Sequence, residues 1–303
     1  MLQILELFGG IGSPRVALRN MGIPTKSIDY VEIDQKAVDS YNAIFANELP
    51  FKTQSVINWN LKPDILIHGS PCQDISIAGQ KLGADKGSGT RSSLMWETLN
   101  IIKQMGMWRP KVVIWENVKG VLHKHMRKNF NHYLDEMEKL GYSNSFEVLD
   151  AREFGLPQYR ERVMTISILG ELFNFNVIKK QKMKHLNLFL EKKADDSYIV
   201  KAPSMLDRIG KPKPGFNGYL PIIGEHTWTI TTKQNRCPNS GVVPLKNDKF
   251  RLLTPKECWL LQGYSEQDYK QASKVNGKTA LYKQAGNSIP VPIFESIFEV
   301  LLN

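Results

Sequence analysis

The sequence predicts an α/β protein in which a mostly parallel, doubly wound sheet is accompanied by a smaller, irregular or β-rich unit. Short apolar runs alternate with helical patterns up to about residue 175, which is typical of a parallel sheet covered on both faces. The alternation stops in residues 176–250, which are rich in Lys, Pro, Gly, Asn and Thr, and it returns in residues 251–303. We therefore divide the chain into residues 1–175, 176–250 and 251–303.

Four apolar runs, each followed by a helical pattern, predict the first strands and helices. The predicted strands are Ile4–Phe8, Ile28–Ile33, Ile65–His68 and Val112–Trp115. The helical patterns that follow them are Arg15–Met21, Lys36–Phe45, Leu94–Met105 and a basic segment ending near Leu140. Two further runs, Phe146–Leu149 and Val163–Leu169, complete the sheet. Since ligands of such sheets bind beyond the carboxyl ends of the strands, residues that follow the strands are the first candidates for a site.

Helix signals are clearest in the last part of the chain. Thr254 has the features of an N-cap, because Pro255 follows at the first helical position and Glu257 stands three residues after the cap. The final helix is predicted for Ile289–Leu302. In the middle part only short stretches such as WTITT indicate extended structure.

The composition limits the class of protein. Forty Lys and Arg against thirty acidic residues give a formal charge of +10, the balance expected of a protein that meets a polyanion, although a solvated charged face is the commoner explanation of any single basic run. No apolar run approaches the ~20 residues of a membrane-spanning helix, and MLQILELFGG does not resemble a secretory signal. Cys72, Cys237 and Cys258 are widely spaced without a CxxC pair, which argues against a disulfide framework or a zinc site. We expect a cytoplasmic protein with no metal and no membrane partner.

The stretch LELFGGIGSP places glycines where the first strand turns into the first helix. Gly9, Gly10 and Gly12 let the backbone approach a ligand at a helix N-terminus, and Glu32 at the end of the second strand is placed to accept from ribose hydroxyls. Arg15 stands where a pyrophosphate fingerprint has its third glycine, so a nucleoside without phosphates, such as S-adenosylmethionine, suits the site better than a dinucleotide. A tight turn that binds nothing is the alternative.

The stretch GSPCQDIS follows the third predicted strand. Pro71 blocks further strand pairing, so Cys72 is presented at the carboxyl edge of the sheet, where the glycine loop also opens. A buried structural thiol is the alternative, but polar residues and a long glycine-rich, basic loop follow at once. A nucleophilic cysteine at this place needs a cationic neighbour that stabilises its thiolate.

Two further motifs offer charged groups for the same edge. In WENVKG, Glu116 ends the next strand and can donate or accept a proton, whereas Asn117 fits a structural role. In LPQYRERV, Arg160 and Arg162 alternate and so face the same side of an extended segment. Two guanidinium groups beside a cleft suggest phosphate or carbonyl binding, although surface arginines at this spacing are common.

Taken in order, FGGIG, SPCQ, ENV, QYRER, a variable segment, RLLTPKE and QAGNS resemble the motifs of the DNA (cytosine-5)-methyltransferases of restriction–modification systems or phages. The resemblance covers nearly the whole chain except residues 176–250. It implies an S-adenosylmethionine-dependent enzyme with a Rossmann-like methyltransferase fold, to which residues 251–303 return. It also implies that residues 176–250 form the target-recognition domain.

The same resemblance assigns catalytic roles by position. Cys72 corresponds to the nucleophile that attacks C6 of a flipped-out cytosine, and Glu116 to the acid that contacts N3 and the exocyclic amine. Arg162 corresponds to the arginine that holds the base carbonyl, and Arg160 to its partner near the sugar-phosphate and the nucleophile. The reaction then methylates C5 within a short, specific duplex sequence and leaves S-adenosyl-L-homocysteine.

Cofactor positions follow from the resemblance in the same way. They are the loop residues Phe8, Gly10, Ile11 and Gly12, the ribose acid Glu32, the adenine-packing Ile33, the pocket-lining Pro71, and Asn287 with Ser288 from the C-terminal part. Ser13 replaces the family's frequent second loop glycine. Ser55 stands near the place of an aspartate that often contacts the adenine amine.

Double-stranded DNA is the expected partner. The candidates for DNA contact are Gln73, Ser76 and Arg91 in the loop after Cys72, and Gln234, Asn235 and Arg236 in the variable segment. We expect a monomer that acts separately from any cognate restriction endonuclease. The alternatives are a tRNA cytosine-5 methyltransferase, a catalytically silent DNA-binding module on the same fold and, more remotely, a nicotinamide oxidoreductase.

Overall fold

A computed structural model describes residues 1–48, 50–57, 62–69, 94–211 and 219–302. Their main feature is a six-stranded sheet in the order β2-β1-β3-β4-β6-β5. Its strands are β1 Leu2–Leu7, β2 Thr25–Val31, β3 Ile65–His68, β4 Val112–Val118, β5 Tyr142–Asp150 and β6 Glu161–Leu169. Pairing is parallel except that β6 runs antiparallel to both β4 and β5. The predicted mostly parallel sheet is therefore confirmed.

Nine α-helices accompany the strands in the described part of the chain. They are α1 Ser13–Asn20, α2 Gln35–Ile44, α3 Met95–Met105, α4 Lys124–Lys139, α5 Pro203–Leu206, α6 Pro255–Leu260, α7 Glu266–Val275, α8 Lys278–Asn287 and α9 Val291–Leu301. The last helix begins two residues later than predicted, because Pro290 takes the N-cap position. Among the described residues, none of these helices has the length and apolar character needed to span a membrane.

The central strands bury both of their faces because neighbouring residues point to opposite sides of the sheet. Ile65 and Ile67 of β3 lie in one core, which also contains residues of α1 and of the C-terminal helices. Leu66 lies in the other core, which contains residues of α3 and α4. This double burial explains why the strand reads as a continuous apolar run rather than an alternating one.

The middle part of the chain has little regular structure where it is described. A two-stranded ribbon joins β7 Val243–Pro244 to β8 Phe250–Arg251, and a small separate cluster contains Val200, Ile209, Leu220 and Val242. The stretch WTITT forms no strand, but the preceding Thr227 exchanges backbone hydrogen bonds with Pro157 and Tyr159. Ile178 and Leu186 pack into the main core, so the beginning of residues 176–250 lies against the core that contains α1 and the C-terminal helices.

The predicted cap of α6 is confirmed. Thr254 Oγ1 accepts from the Glu257 amide at 3.2 Å, and Glu257 Oε2 accepts from the Thr254 amide at 2.8 Å. Glu257 is fully buried, and Arg251 donates to both of its carboxylate oxygens at 2.8 Å. Glu257, the acid of this capping box, thus also forms a buried ion pair with Arg251 that connects β8 to α6.

The sheet topology decides which residues meet at one edge. Strands β1 to β4 are parallel, so their carboxyl ends lie at the same edge. Because β6 is antiparallel, it begins at that edge, and Arg162 is in register with Val118 at the end of β4. The glycine turn, Gly69, Glu116 and Arg162 are therefore brought to one side of the molecule.

Candidate active site

The turn after β1 has an unusual backbone. Phe8, Gly10 and Gly12 have positive φ angles of 55°, 54° and 75°, and Gly12 is the N-cap of α1. Phe8 is one of the few non-glycine residues with this conformation, which is sterically disfavoured for a side chain of its size. The turn therefore holds a strained shape, as binding loops often do.

Glu32 is fixed beside this turn by three backbone amides. Its Oε2 accepts from the Gly10 amide at 3.0 Å, and its Oε1 accepts from the amides of Ile33 at 2.8 Å and Asp34 at 2.9 Å. The Ile33 side chain is 77% exposed although it is apolar. Ser55 is also exposed. The backbone amide of the neighbouring Gln54 donates to the backbone carbonyl of Glu32 at 2.8 Å.

These groups fit an adenosyl ligand. A carboxylate at the end of β2 can accept from ribose hydroxyls, and an exposed isoleucine beside it offers an apolar surface to an adenine ring. Apart from its own chain neighbours, no described residue has an atom within 4 Å of the place that a Cβ would take on Gly10, so this side of the turn is open among the described residues. The sequence candidates Phe8, Ile11 and Gly12 line the same turn.

The C-terminal part reaches the turn through three hydroxyl groups. Ser13 Oγ lies 2.6 Å from Tyr264 Oη and 3.1 Å from Ser288 Oγ, and Ser288 Oγ lies 2.9 Å from Tyr264 Oη. Ser13 is the residue that stands in place of a second loop glycine, and its hydroxyl makes this contact. Ser288 is buried, while Asn287 at the end of α8 is exposed.

An acid near the end of β4 and a guanidinium near the start of β6 lie next to each other. Glu116 Oε1 and Arg162 Nε form an ion pair at 2.9 Å, with 12% of each side chain exposed. Burial raises the pKa of Glu116 above its ordinary value, and the charges of Arg162 and Arg160 oppose this shift without cancelling it. Glu116 therefore keeps a proton to higher pH than a solvated glutamate does.

Gly69 connects this pair to the cysteine motif. A Cβ on Gly69 would lie 3.4 Å from Glu116 Oε2 and 3.8 Å from Ile289 Cδ1, so the chain leaves β3 beside the carboxyl group. Pro71, Cys72, Gln73, Ser76 and Arg91 lie outside the described residues. Cys72 follows Gly69 by three residues in the sequence. The roles of these five residues stay predictions.

Comparison with known proteins decides the family. The family model of the C-5 cytosine-specific DNA methylases matches residues 2–213 and 206–303. The chain belongs to this family. The resemblance inferred from the motifs is confirmed, and the protein is an enzyme of the DNA (cytosine-5)-methyltransferase class.

Three curated relatives are similar to the chain over almost their whole length. The chain is 31% identical to the type II methyltransferase M2.ScrFI of Lactococcus lactis subsp. cremoris, with 99% of each chain covered. It is 31% identical to the type II methyltransferase M.Bsp6I of a Bacillus species, over 99% of this chain and 98% of the relative. It is 25% identical to the orphan methyltransferase M.SPRI of Bacillus phage SPR, over 100% and 98%.

Solved structures share the fold at lower identity. The Dnmt2 methyltransferase of S. pombe superposes with a TM-score of 0.79 at 19% identity, covering 100% of this chain and 99% of that one. The methyltransferase EhMeth of Entamoeba histolytica gives a TM-score of 0.81 at 17% identity, covering 100% and 98%. At this identity, the two comparisons show the common fold.

Arg160 of the methyltransferase is buried and holds three backbone segments together. Its guanidinium donates to the carbonyls of Ile230 at 2.9 Å, Gly286 at 2.9 Å and Ser288 at 2.7 Å. These contacts join the start of β6, the stretch WTITT and the end of α8. Its predicted place near the sugar-phosphate stays a prediction, and the contacts described here belong to the main chain.

The candidates for base reading differ in exposure. Gln234 is buried and donates to Ser240, whereas Asn235 is half-buried and Arg236 is exposed. Within the described residues no group of three His, Cys, Asp or Glu side chains could hold a metal ion. Cys258 is fully buried, which fits a packing role.

Two buried polar residues of the central strands were missed by the sequence analysis. Glu6 of β1 accepts from Tyr41 Oη at 2.6 Å beneath the turn, and burial raises its pKa to about 7. His68 of β3 lies 3.0 Å from Tyr133 Oη, and burial lowers its pKa to about 3, so the ring is neutral. A charged or titratable residue inside an apolar run, as in LELF and DILIH, is the signal that would have found both.

Proposed function

We propose that the methyltransferase transfers a methyl group from S-adenosyl-L-methionine to C5 of a flipped-out cytosine in a short, specific sequence of double-stranded DNA. The observation that carries this proposal is the Glu116–Arg162 pair, which lies beside Gly69 at the edge where the glycine turn also opens. An acid of raised pKa, a guanidinium paired with it and a cysteine, which follows Gly69 by three residues in the sequence, are the groups that attack on a cytosine ring requires.

The first chemical step is attack of the Cys72 thiolate on C6. As the C6–S bond forms, an electron pair moves into the ring, and protonated Glu116 shares its proton with N3 while Arg162 holds the carbonyl oxygen. C5 then has the electron density of an enamine carbon. When bound, S-adenosyl-L-methionine would supply an electrophilic methyl group to this carbon, and its S–CH3 bond would break to leave S-adenosyl-L-homocysteine.

Elimination of the enzyme restores the aromatic ring and releases the product. A base removes the proton from C5, the C5–C6 double bond forms again, and the thiolate of Cys72 leaves C6. None of these atoms is accessible inside a duplex, so the cytosine must leave the stack, at a cost of a few kcal/mol. Arg160 acts here by holding the start of β6 and the end of α8 in place.

The residues that would hold the cofactor are those around the glycine turn. Glu32 would accept from the ribose hydroxyls, Ile33 would pack against the adenine and Ser55 would contact its edge. The backbone of Phe8, Gly10, Ile11 and Gly12, together with Pro71, Asn287 and Ser288, would enclose the rest. This arrangement fits because the open side of Gly10 lies next to the Glu32 carboxylate.

DNA is the proposed partner, which the net charge of +10 supports. Gln73, Ser76 and Arg91 would contact it from the loop after Cys72. In residues 176–250, the proposed recognition domain, Asn235 and Arg236 are exposed enough to reach base edges, whereas Gln234 would first have to leave its buried place. We further propose that the enzyme acts as a cytoplasmic monomer, separately from any restriction endonuclease.

Bisulfite sequencing of plasmid from cells that express the chain tests the reaction and reveals the target. We expect cytosines within one short sequence to resist bisulfite conversion completely, and we expect cytosines everywhere else to be converted. The purified enzyme should also form a denaturation-resistant complex with an oligonucleotide that carries 5-fluorocytosine at that position, because the adduct cannot then lose a C5 proton. Methylation of tRNA but not of duplex DNA would overturn the proposal in favour of the tRNA enzyme.

Two cysteine variants identify the nucleophile. Cys72→Ser should lose both methylation and the trapped complex, whereas Cys237→Ser, a matched exchange of a half-buried cysteine, should keep both. Trapping that survives in Cys72→Ser would contradict the assignment.

A further inference from the structure

Both backbone hydrogen-bonding groups of Gly10 are bound by residues at the end of β2. The Tyr30 hydroxyl donates to the Gly10 carbonyl at 2.5 Å, and the Glu32 carboxylate accepts from the Gly10 amide at 3.0 Å. Tyr30 and Glu32 are two residues apart along an extended segment, so their side chains lie on the same side of it. The two side chains of the sequence Tyr-x-Glu thus bind the backbone amide and the backbone carbonyl of one glycine.

Aromatic rings form the floor under the same turn. A Cβ on Gly9 would lie 2.5 Å from a ring carbon of Tyr30, and a Cβ on Gly12 would lie 2.7 Å from one of Tyr41. The two rings are stacked, with centroids 3.8 Å apart, and both are fully buried. The turn therefore rests directly on these rings.

The two hydrogen bonds matter because Gly10, unlike Gly9 and Gly12, does not face one of the ring atoms beneath the turn. Its φ of 54° is one of several conformations that glycine adopts with similar ease. A loop that is already fixed in its bound shape binds its ligand more tightly, since less conformational entropy is lost on binding. A hydrogen bond to the Gly10 carbonyl selects one orientation of the peptide.

We propose that Tyr30 is a positioning residue for the cofactor, and that its hydroxyl holds the Gly10 peptide in the orientation that presents the open side of the turn to the adenosyl group. This inference depends on the proposed use of S-adenosyl-L-methionine. Burial raises the pKa of Tyr30 far above its ordinary value, so the hydroxyl stays a donor throughout the working pH range.

Tyr30→Phe tests the proposal because it removes the hydroxyl and keeps the ring. The matched control is Tyr142→Phe, since Tyr142 is also buried and its hydroxyl also donates to a backbone carbonyl, that of Pro110 at 2.7 Å. Both variants lose one buried hydrogen bond, so their melting temperatures should fall by similar amounts. Only Tyr30→Phe touches the turn.

Binding is measured by titration calorimetry with S-adenosyl-L-homocysteine and with S-adenosyl-L-methionine. We expect the Kd of both ligands to rise about fivefold in Tyr30→Phe, the change that loss of one hydrogen bond produces, and to stay unchanged in Tyr142→Phe. At saturating DNA, the KM for S-adenosyl-L-methionine should rise by the same factor while kcat is kept.

The possible results separate the two proposals. Wild-type protein that binds neither ligand overturns the proposed function, and this inference with it. Wild-type binding with an unchanged Kd in Tyr30→Phe overturns the inference alone. Equal weakening in Tyr30→Phe and Tyr142→Phe also overturns it, because the effect then follows from lost stability rather than from the turn.

Discussion

Glu116 Oε1 lies 2.9 Å from Arg162 Nε; Glu116 is two residues before the end of β4, and Arg162 is the second residue of the antiparallel β6. Burial favours the protonated carboxyl, whereas the guanidinium favours the carboxylate, and burial is the larger effect. The pair therefore holds an acid that keeps its proton to higher pH than a solvated glutamate does, and a cation beside it that stays in place when the proton is given away. Such a pair suits a ring that gains and then loses negative charge.

Replacement of Glu116 by glutamine should abolish most of the activity. The amide keeps the size of the side chain but cannot give a proton to N3, so we expect kcat to fall by about 100-fold or more. Single-turnover methylation of a site-containing duplex measures the change. Glu147→Gln, an exposed change on β5, is the matched control and should leave the rate unaltered. A rate for Glu116→Gln within a factor of two of wild type would contradict the role of the acid.

Arg160→Lys should destabilise the protein. One ammonium group cannot reach the carbonyls of Ile230, Gly286 and Ser288 together, so we expect the free energy of unfolding to fall by about 3 kcal/mol. Urea unfolding followed by circular dichroism measures it. Arg152→Lys is the comparison, since Arg152 is half-buried and pairs with the nearby Asp150, and it should cost less than about 1 kcal/mol. Equal stability of the two variants would show that the three carbonyl contacts contribute little.

Much of the fold could be predicted from the sequence, because periodicity reports burial directly. The predicted strand Ile65–His68 has the observed bounds, and the cap at Thr254 forms as its pattern indicates. The direction of β6 could not be predicted, since an apolar run looks the same in either direction. That direction is nevertheless what brings Arg162 to Glu116.

Partners of the site residues were harder to predict than their positions. The alternation of Arg160 and Arg162 placed both near one edge but gave no sign that Arg160 would bind backbone carbonyls from two distant segments. Gln234 was chosen as a polar residue of a loop and lies buried against Ser240. Long-range packing decides such contacts, and local pattern does not contain it.

Glu6 should make stability depend on pH. Its pKa is about 7 in the folded protein because of burial, while in an unfolded chain it is near 4.3. Between these pH values the folded state binds more protons than the unfolded state. The free energy of unfolding should therefore fall as pH rises from about 4.3 to 7. Above about pH 7, Glu6 should contribute little further change. The groups that face Glu6 are Tyr41, Ser27 and Arg15, with Glu48 beyond Arg15.

Glu6→Gln should remove this component. The stability of the variant relative to the wild type should therefore increase by about 2–3 kcal/mol between pH 5 and pH 8. Urea unfolding at several pH values between 5 and 8 gives the difference between the two proteins. The exposed Glu147→Gln serves as the reference, and a pH slope that is the same in all three proteins would refute the assignment.

Gly286→Ala should loosen the joint between α8 and the WTITT stretch. A Cβ at this position would lie 2.4 Å from the Thr231 carbonyl carbon and 2.4 Å from the Thr232 amide nitrogen, and backbone atoms cannot turn away as a flexible side chain can. The two segments must therefore separate, which also draws the Gly286 and Ser288 carbonyls away from Arg160. We expect a loss of about 2–3 kcal/mol in the free energy of unfolding.

Gly277→Ala at the other end of α8 is the matched control. Apart from its chain neighbours, no described residue has an atom within 4 Å of the added methyl, and the φ of −78° at this position suits alanine. Cofactor affinity should fall only in Gly286→Ala, since Asn287 and Ser288 follow directly; if both variants unfold at the same urea concentration, the close approach is not what holds α8 in place.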